Sequence, residues 1–268
     1  MTQTVEPHAV ARLRAARLLR STKPFLARGG PRGDRCGDCR LIVSHCICAL
    51  RPVVTTRAGV CLLMTELETL KPSNTGWLIA DVVPDTMAFS WARTEVDPAL
   101  LALLADPQWQ PYVVFPGEFV APERVVSSLL SASMPSIELS ENEAMPHAKT
   151  AHEAKRPLFI LLDATWSEAR KIFKKSPYLN QFPVLSLAPE RLSRYRLRRS
   201  KRDDHLCTCE VAALCLEMAG DAHAADALDA YFDIFTEHYL LAKQQRKVDW
   251  QDSMHQRLDT LRRQPLAK

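Results

Sequence analysis

The chain has 268 residues, of which 47% are apolar and 25% charged, and its formal net charge is +4. The apolar content is ample for a core, and the length suits one large α/β domain or one domain with a small appendage. No stretch approaches the ~20 apolar residues of a membrane span, and the N-terminus lacks the apolar region of a signal peptide. Eight cysteines without a secretion signal indicate reduced thiols or a metal site rather than disulfides. We therefore expect a cytoplasmic protein that associates with no membrane, and the sequence implies no obligate protein partner.

The N-terminal segment is a basic arm. Met1–Arg35 contains eight lysines and arginines against two acidic residues, and residues 8–20 are predicted to form a short helix that ends before Pro24. An arm of this kind can contact the phosphate backbone of a nucleic acid. A helix that docks through its leucines and exposes its arginines to solvent explains the same residues, and this segment alone favours that alternative.

Four cysteines follow within thirteen residues. Cys36 and Cys39 form a Cys-x-x-Cys pair, and Cys46 and Cys48 form a second, closer pair. Four thiolates suit tetrahedral zinc, and four protein ligands leave no open position, so such a metal would be structural. A redox dithiol and incidental clustering are the alternatives, but a dithiol needs only one pair. We predict a zinc knuckle, in which His45 could replace one thiolate.

From residue 58 onward the pattern predicts an α/β domain. The predicted strands are Val60–Met64, Thr86–Trp91, Tyr112–Phe115, Leu158–Leu162 and Val184–Leu187. The predicted helices are Pro98–Ala105, one that starts at Thr165, Thr208–Met218 and Ala225–Lys243, and Trp77–Val83 is either a helix or a strand. Strands that alternate with helices favour a mostly parallel sheet with helices on both faces. Residues 127–156 show no clear period and are predicted to be a flexible insertion.

The stretch PLFILLDATWSEARKIFKK at 157–175 is the most informative one. Its buried strand breaks at Asp163, and Thr165 has Glu168 three residues later, which is the capping-box spacing of a helix start. Asp163, Thr165 and Trp166 are therefore predicted at the carboxyl end of a sheet, where open α/β folds bind ligands. An ordinary strand–helix corner, with Trp166 in the packing, explains the local pattern equally well.

A second basic segment lies near the end of the domain. Arg191–Arg202 contains seven lysines and arginines and no acidic residue, with Tyr195 among them. Basic side chains with an interleaved aromatic are typical of surfaces that follow a nucleic-acid backbone, whereas the alternative is a solvated basic loop. The candidate RNA-binding residues are Tyr195, Arg196, Arg198, Arg199 and Lys201. Neither glycine-rich phosphate-binding motif is present, so nucleotide hydrolysis and nicotinamide chemistry have no support.

Four stretches resemble the DTW-domain family, and within it the bacterial tRNA-uridine aminocarboxypropyltransferases. They are DATWSEARKIFKKSPYL, which carries the Asp-x-Thr-Trp signature, MTELETLKPSNTGWLIAD at 64–81, VVFPGE at 113–118, and YRLR to LCTCEVA within 195–212. Glu66, Asn74 and Thr75 match the loop of the family, whereas Thr65 stands where many members have proline. The family also carries the four-cysteine pattern, which strengthens the zinc prediction.

The resemblance implies a SPOUT-like, trefoil-knotted catalytic domain at residues 58–268, preceded by the basic arm and zinc knuckle at residues 1–57. It implies a tRNA-modifying enzyme that transfers the 3-amino-3-carboxypropyl group of S-adenosylmethionine to N3 of a uridine in the variable loop, releasing methylthioadenosine. Strand-end loops are expected to hold the cofactor, largely through backbone groups. The expected cofactor-binding residues are Phe115, Pro116, Gly117, Asp163, Leu185, Leu187 and Thr208.

The expected catalytic residues are Asp163, Thr165 and Trp166. Asp163 takes or orients the N3 proton; because an unperturbed aspartate has a pKa near ~3.9, it serves as a base only if burial raises that pKa. Thr165 either supports Asp163 or caps the helix, and Trp166 stacks on adenine or on the flipped uracil. Two alternative functions stay open, an RNA methyltransferase of the same fold and a non-catalytic zinc-knuckle RNA-binding protein.

Overall fold

The computed structural model describes residues 6–23, 25, 30–129, 155–187, 193–197 and 206–264. The helices within them are α1 (Ala9–Leu19), α2 (Gly76–Val82), α3 (Pro98–Ala105), α4 (Trp166–Lys175), α5 (Thr208–Met218), α6 (Ala222–Lys243) and α7 (Ser253–Arg263). The strands are β1 (Gly59–Met64), β2 (Thr86–Ser90), β3 (Trp109–Val114), β4 (Val125–Val126), β5 (Arg156–Asp163) and β6 (Val184–Leu185). Most of the predicted insertion, residues 130–154, lies outside the described residues.

The six strands form one sheet in the order β2-β1-β5-β3-β6-β4, and every pairing between them is parallel. The predicted α/β class with a mostly parallel sheet is therefore confirmed. Strand β5 lies between β1 and β3, and its register pairs Met64 with Asp163. Because all strands run in the same direction, the loops that follow them meet at one edge of the sheet.

Both faces of the sheet are covered by helices. Successive residues of a strand point to opposite faces, so Val60 and Leu62 of β1 pack in one core, and Cys61 and Leu63 pack in another. Helices α2, α5 and α6 cover the first core, and α3 and α4 cover the second. Burial of each leucine or isoleucine side chain stabilises the fold by about 1.5–3 kcal/mol. Because these strands are buried on both faces, apolar residues are favoured at every position, and the strands appear in the sequence as continuous apolar runs.

The N-terminal arm and the cysteine segment pack against the first core. Cys39, Leu41 and Ile47 are fully buried in the same cluster as β1 and α6. Helix α1 contributes the buried Val10, whereas Leu19 is 89% exposed. The arm therefore docks, as the solvated-helix alternative expects, but not through its terminal leucines. The predicted division of the chain at residue 57 stays a prediction.

Arginines of α1 also contribute to this docking. Arg14 donates to the carbonyl oxygen of Leu70 at 2.9 Å, and Arg17 and Arg20 form ion pairs with Glu66. All three contacts fall on the loop that follows β1. Since these guanidinium groups already have protein partners, the helix offers fewer basic groups to a nucleic acid than its sequence indicates.

Helix α7 was not predicted. Asp252 caps its first turn by accepting from the backbone N–H of His255 at 2.9 Å, and Leu258 is 1% exposed. Few of its residues are apolar, so the periodic signal in the sequence is weak. No helix within the described part of the chain combines the length and the apolar character that crossing a membrane requires.

His238 of α6 makes the stability of the fold sensitive to acid. It is fully buried, with Nδ1 3.0 Å from the carbonyl oxygen of His45 and Nε2 3.1 Å from Nε2 of His255. Burial lowers the pKa of His238 from 6.5 to about 4. Between these two pH values the unfolded chain binds a proton at His238 and the folded chain does not. The stabilising contribution of neutral, buried His238 is therefore complete above pH ~6.5 and is lost as the pH falls toward ~4.

We expect the free energy of unfolding to drop by about 2 kcal/mol between pH 7.5 and pH 5 through His238 alone. Thermal unfolding at both pH values measures this drop, and His238→Gln should show a clearly smaller one. His223→Gln, at a half-exposed position of the same helix, is the matched control and should retain the wild-type difference. Equal drops in all three proteins would contradict the role of His238.

Candidate active site

The site is built around the carboxylate of Asp163, at the carboxyl end of the central strand β5. The residue is only 4% exposed. One carboxylate oxygen accepts from Nδ2 of Asn74 at 2.7 Å, and the other accepts from Oγ1 of Thr208 at 2.7 Å. Three segments far apart in the sequence therefore meet at one buried acid, namely the loop after β1, the end of β5 and the first turn of α5.

The loop after β1 approaches this carboxylate closely. Asn74 is 1% exposed, and its Oδ1 accepts from the backbone N–H of Trp77 at 3.0 Å, which caps the first turn of α2. A Cβ atom on Gly76 would lie 2.3 Å from Oδ2 of Asp163, so only glycine allows this approach. The side chains of Asn74 and Asp163 are thus fixed relative to each other by backbone geometry.

Two of the predicted cofactor-binding loops lie side by side. The backbone N–H of Phe115 donates to the carbonyl oxygen of Leu185 at 3.2 Å, and that of Gly117 donates to Oγ of Ser186 at 2.9 Å. Pro116 between them is exposed, and Leu187 is half-buried against the first core. The structure therefore brings the carboxyl ends of β3 and β6 together.

A stack of aromatic rings joins these loops to α4. The ring of Phe115 lies between Trp166, at 5.5 Å and 12°, and Phe173, at 4.4 Å and 6°. Phe119 packs against Trp166 at 5.5 Å and carries the guanidinium of Arg170 above its ring. The Trp166 side chain is 37% exposed, so it presents an aromatic surface beside the carboxyl edge of the sheet.

Thr165 forms the helix cap that its spacing predicts. It is the N-cap residue of α4, and the Glu168 carboxylate lies 3.0 Å from its backbone nitrogen and 2.5 Å from its hydroxyl. Of the two roles considered for Thr165, the geometry supports capping.

The described part of the second basic segment is anchored to the protein. Tyr195 donates its hydroxyl to the carbonyl oxygen of Ser73 at 2.8 Å, and Arg194 pairs with Asp233 at 2.7 Å. Arg196 is exposed, with Nη1 2.9 Å from the carbonyl oxygen of Ser193. The remaining RNA-binding candidates, Arg198, Arg199 and Lys201, lie outside the described residues. Residues 193–197 of the segment thus lie beside the loop that carries Asn74.

The four predicted zinc ligands form one cluster. The Sγ atoms of Cys36, Cys39, Cys46 and Cys48 all lie within 4.8 Å of one another, with 3.5 Å between Cys36 and Cys48 and 3.7 Å between Cys39 and Cys46. Zinc–sulfur bonds of about 2.3 Å in a tetrahedron place the sulfurs about 3.8 Å apart. The cluster therefore has the donor atoms and the spacing to bind zinc.

His45 does not belong to this cluster, so its suggested role as a substitute ligand is wrong. Its Nε2 lies 2.9 Å from the carbonyl oxygen of Arg246, and its Nδ1 lies 2.9 Å from Oγ of Ser44. Both ring nitrogens thus have partners elsewhere, and the histidine connects the cysteine segment to the end of α6.

Sequence reasoning did not assign a role to Asn74 or to Arg40. Asn74 matches the loop of the family, but nothing in the sequence indicates that it donates directly to Asp163. Arg40 follows the second cysteine and is 2% exposed, and burial lowers its pKa to about 10, so it stays charged at neutral pH. Its donor group reaches the carbonyl oxygen of Asn74 at 3.0 Å. A polar residue in a loop and an arginine among cysteines carry no local signal of burial.

Comparison with known proteins places this site in a family. The model of the DTW domain matches residues 33–240, a range that includes the four cysteines and Asp163. A stretch of 74 residues is 31% identical to tRNA-uridine aminocarboxypropyltransferase 2 of Drosophila melanogaster, which is 28% of this chain and 30% of the fly protein. The chain thus aligns with less than a third of that relative. No solved structure is significantly similar to this chain. Because the domain match spans most of the sequence, the chain belongs to the DTW-domain family.

Proposed function

We propose that this protein modifies tRNA by transferring the 3-amino-3-carboxypropyl group of S-adenosylmethionine to N3 of a uridine in the variable loop. The observation that carries the proposal is the buried Asp163 carboxylate, which Asn74 and Thr208 hold at the carboxyl edge of the sheet within the DTW signature. The fly relative, which is named a tRNA-uridine aminocarboxypropyltransferase, supports the same reaction. We also propose that the catalytic domain is SPOUT-like and contains a trefoil knot.

In the proposed reaction, S-adenosylmethionine supplies a carbon activated by its sulfonium. A bond forms between uridine N3 and this carbon as the carbon–sulfur bond breaks, methylthioadenosine leaves, and the N3 proton is lost. A sulfonium activates all three attached carbons, so the protein selects one by its orientation. The paired loops at Phe115–Gly117 and Leu185–Leu187 hold the cofactor in this proposal, and Asp163 takes or orients the N3 proton.

The cysteine cluster has a structural role in the proposal. Cys36, Cys39, Cys46 and Cys48 supply four thiolates, and a zinc ion with four protein ligands offers no position to a substrate. The RNA would be bound by Tyr195 and Arg196, together with Arg198, Arg199 and Lys201 from the rest of the basic segment.

Trp166 is proposed to stack on the adenine or on the flipped uracil. Stacking of a base on an aromatic side chain contributes about 1–3 kcal/mol, so Trp166→Ala should weaken binding of one of the two ligands by about 5- to 150-fold. Separate titrations with S-adenosylmethionine and with tRNA identify which one. Trp166→Phe, which keeps a ring, should lose much less. If Trp166→Ala binds both ligands as tightly as the wild type, the stacking role is wrong.

The proposed function is tested by one incubation of the protein with unmodified tRNA and S-adenosylmethionine. Mass analysis then identifies the modified nucleoside and the by-product. We expect aminocarboxypropyl-uridine together with methylthioadenosine. A methylated nucleoside with S-adenosylhomocysteine would instead show an RNA methyltransferase.

The second alternative, a non-catalytic RNA-binding protein, predicts a different result. It would bind tRNA with a steep salt dependence, because its affinity would come from phosphate contacts, and it would form no product. It would also lack affinity for S-adenosylmethionine. A titration with the cofactor alone therefore separates this alternative from an enzyme that was given the wrong tRNA.

A further inference from the structure

Arg40 is a buried cation between the cysteine cluster and the loop after β1. Its backbone has φ of 65°, a left-handed conformation that is uncommon outside glycine. The backbone N–H of Arg40 donates to the carbonyl oxygen of Cys36 at 3.1 Å, so the turn between the first two cysteines fixes this conformation. The backbone conformation of the cysteine turn therefore sets the direction in which the Arg40 side chain projects.

The guanidinium of Arg40 gathers three carbonyl groups of one loop. Its Nη1 lies 3.0 Å from the carbonyl oxygen of Asn74, 3.3 Å from that of Pro72 and 3.4 Å from that of Lys71. A cation donates stronger hydrogen bonds than a neutral group. Because one nitrogen contacts three carbonyl oxygens of the loop, it restrains the positions of all three residues.

The carboxylate of Asp81 attracts the charge of Arg40, but the guanidinium is only partly hydrogen-bonded. The guanidinium lies over the ring of Trp77 at 4.4 Å and over that of Phe235 at 5.4 Å, but Nε and Nη2 have no hydrogen-bond partner among the described residues. Burying a charge whose donors are incompletely satisfied costs free energy, and an apolar side chain of similar size would avoid that cost. An arginine here is therefore better explained by what it holds in place.

What it holds is the residue that contacts Asp163. Asn74 accepts from Arg40 through its backbone carbonyl and donates to Asp163 through Nδ2 at 2.7 Å. The absence of a side chain on Gly76 lets the same loop pass against the carboxylate. A shift of this loop by a fraction of an ångström thus moves the carboxylate or removes one of its hydrogen bonds.

We propose that Arg40 is a positioning residue, which holds the loop at residues 71–75 so that Asn74 fixes the Asp163 carboxylate for the transfer. The four-cysteine knuckle thereby acts on the active site from a distance, through a rigid turn and one side chain. This inference rests on the proposed function for its catalytic part, whereas the restraint on the loop can be measured without it.

The test compares Arg40→Lys with Arg51→Lys. Arg51 is the matched control because it is a half-buried arginine on the same side of the domain. Its Nε lies 2.9 Å from the carboxylate of Asp81 in α2, so it pairs with the helix and not with the 71–75 loop. Since small displacements of reacting groups cost up to about 10²-fold in rate, we expect Arg40→Lys to lower kcat by about 10-fold or more, with KM changed less than about 3-fold. Arg51→Lys should keep the wild-type kcat. Equal losses of kcat in the two variants would overturn the proposal.

A second readout does not depend on turnover. The amides of Lys71, Asn74 and Trp77 all donate to acceptors in the loop after β1. Hydrogen exchange at these amides should be at least about 10-fold faster in Arg40→Lys and unchanged in Arg51→Lys. Zinc content and melting temperature, measured on both variants, establish that each is folded. Unchanged exchange in a folded Arg40→Lys protein would overturn the inference. If the wild-type protein transfers nothing, the proposed function fails, but the exchange comparison still decides whether Arg40 restrains the loop.

Discussion

Asp163→Asn is expected to lower kcat of the proposed aminocarboxypropyl transfer by about 10²–10⁴-fold, the range that a lost acid–base or charge-positioning group usually costs. The asparagine side chain fills the same space but carries no charge. It also replaces one acceptor oxygen with a donor nitrogen, while Asn74 and Thr208 both donate toward this position. At least one of those hydrogen bonds must therefore break or rearrange. Single-turnover kinetics with bound tRNA measure the effect on the chemical step.

The matched control is Asp221→Asn. The Asp221 carboxylate also accepts two hydrogen bonds, from the backbone N–H groups of Arg57 and Ala58 at 2.9 Å each. It lies at the amino end of β1, away from the edge where the strand-end loops meet. We expect this variant to lose some stability but to keep the wild-type kcat. An Asp163→Ala protein that binds both ligands and turns over at the wild-type rate would remove Asp163 from the mechanism.

The pH dependence of kcat in the wild-type protein separates the two roles proposed for Asp163. If the carboxylate takes the N3 proton, kcat should fall on the acidic side as the residue becomes protonated, and Asp163→Asn should lose that limb of the profile. If it only orients the base or the cofactor, the residual activity of Asp163→Asn should keep the wild-type profile. The comparison uses the shape of the two profiles, so a uniform loss of activity does not obscure it.

The place of Asp163 could be predicted because its signals are local. A continuous apolar run, an acid at its end and a capping box whose two partners are three residues apart together specify a buried strand followed by a helix. The parallel sheet then places the end of this strand beside the ends of its neighbours. These features depend on short-range sequence, and the structure confirms the strand, the helix start and the parallel pairing.

The partners of Asp163 could not be predicted from residues alone, because they come from distant segments. Asn74 precedes Asp163 by 89 positions and Thr208 follows it by 45. Arg40, which contacts the carbonyl oxygen of Asn74, resembles in sequence any surface arginine of a cysteine-rich turn. Arginine is rarely fully buried, so its burial is a consequence of tertiary packing that no local pattern reports. The same limit applies to β4, whose two residues are too few to show a period.

Helix α5 shows a further limit of periodicity. Its spacing predicts that Val211, Leu214, Cys215 and Met218 face the core, but Met218 is 37% exposed, whereas Ala212 and Leu216 are fully buried. The helix is apolar on most of its circumference, so the hydrophobic pattern does not select one face. The packing of α5 between the sheet and α6 determines which of its side chains are buried.

Replacing a cysteine of the knuckle should have the largest effect on stability. Cys39 is fully buried, and its sulfur lies 3.7 Å from that of Cys46. A serine is a poorer zinc ligand, and structural zinc sites in small domains contribute folding free energy directly, so Cys39→Ser should lose the metal and lower the melting temperature by roughly 10 °C. Elemental analysis of the purified protein and thermal unfolding measure both effects. Cys61→Ala, in strand β1 and outside the cluster, should retain the metal.

The redox alternative for these cysteines predicts the opposite pattern. A dithiol would leave the protein without zinc as purified, and mild oxidation would lower the number of titratable thiols from the eight in the sequence. If zinc is bound, removal of the metal by a chelator should precede loss of structure. The four thiols of the cluster should become reactive only after the metal is removed. Because Arg40 follows Cys39 directly, zinc loss should also release the loop that holds Asn74. Activity should therefore fall together with the metal, even though the metal contacts no substrate.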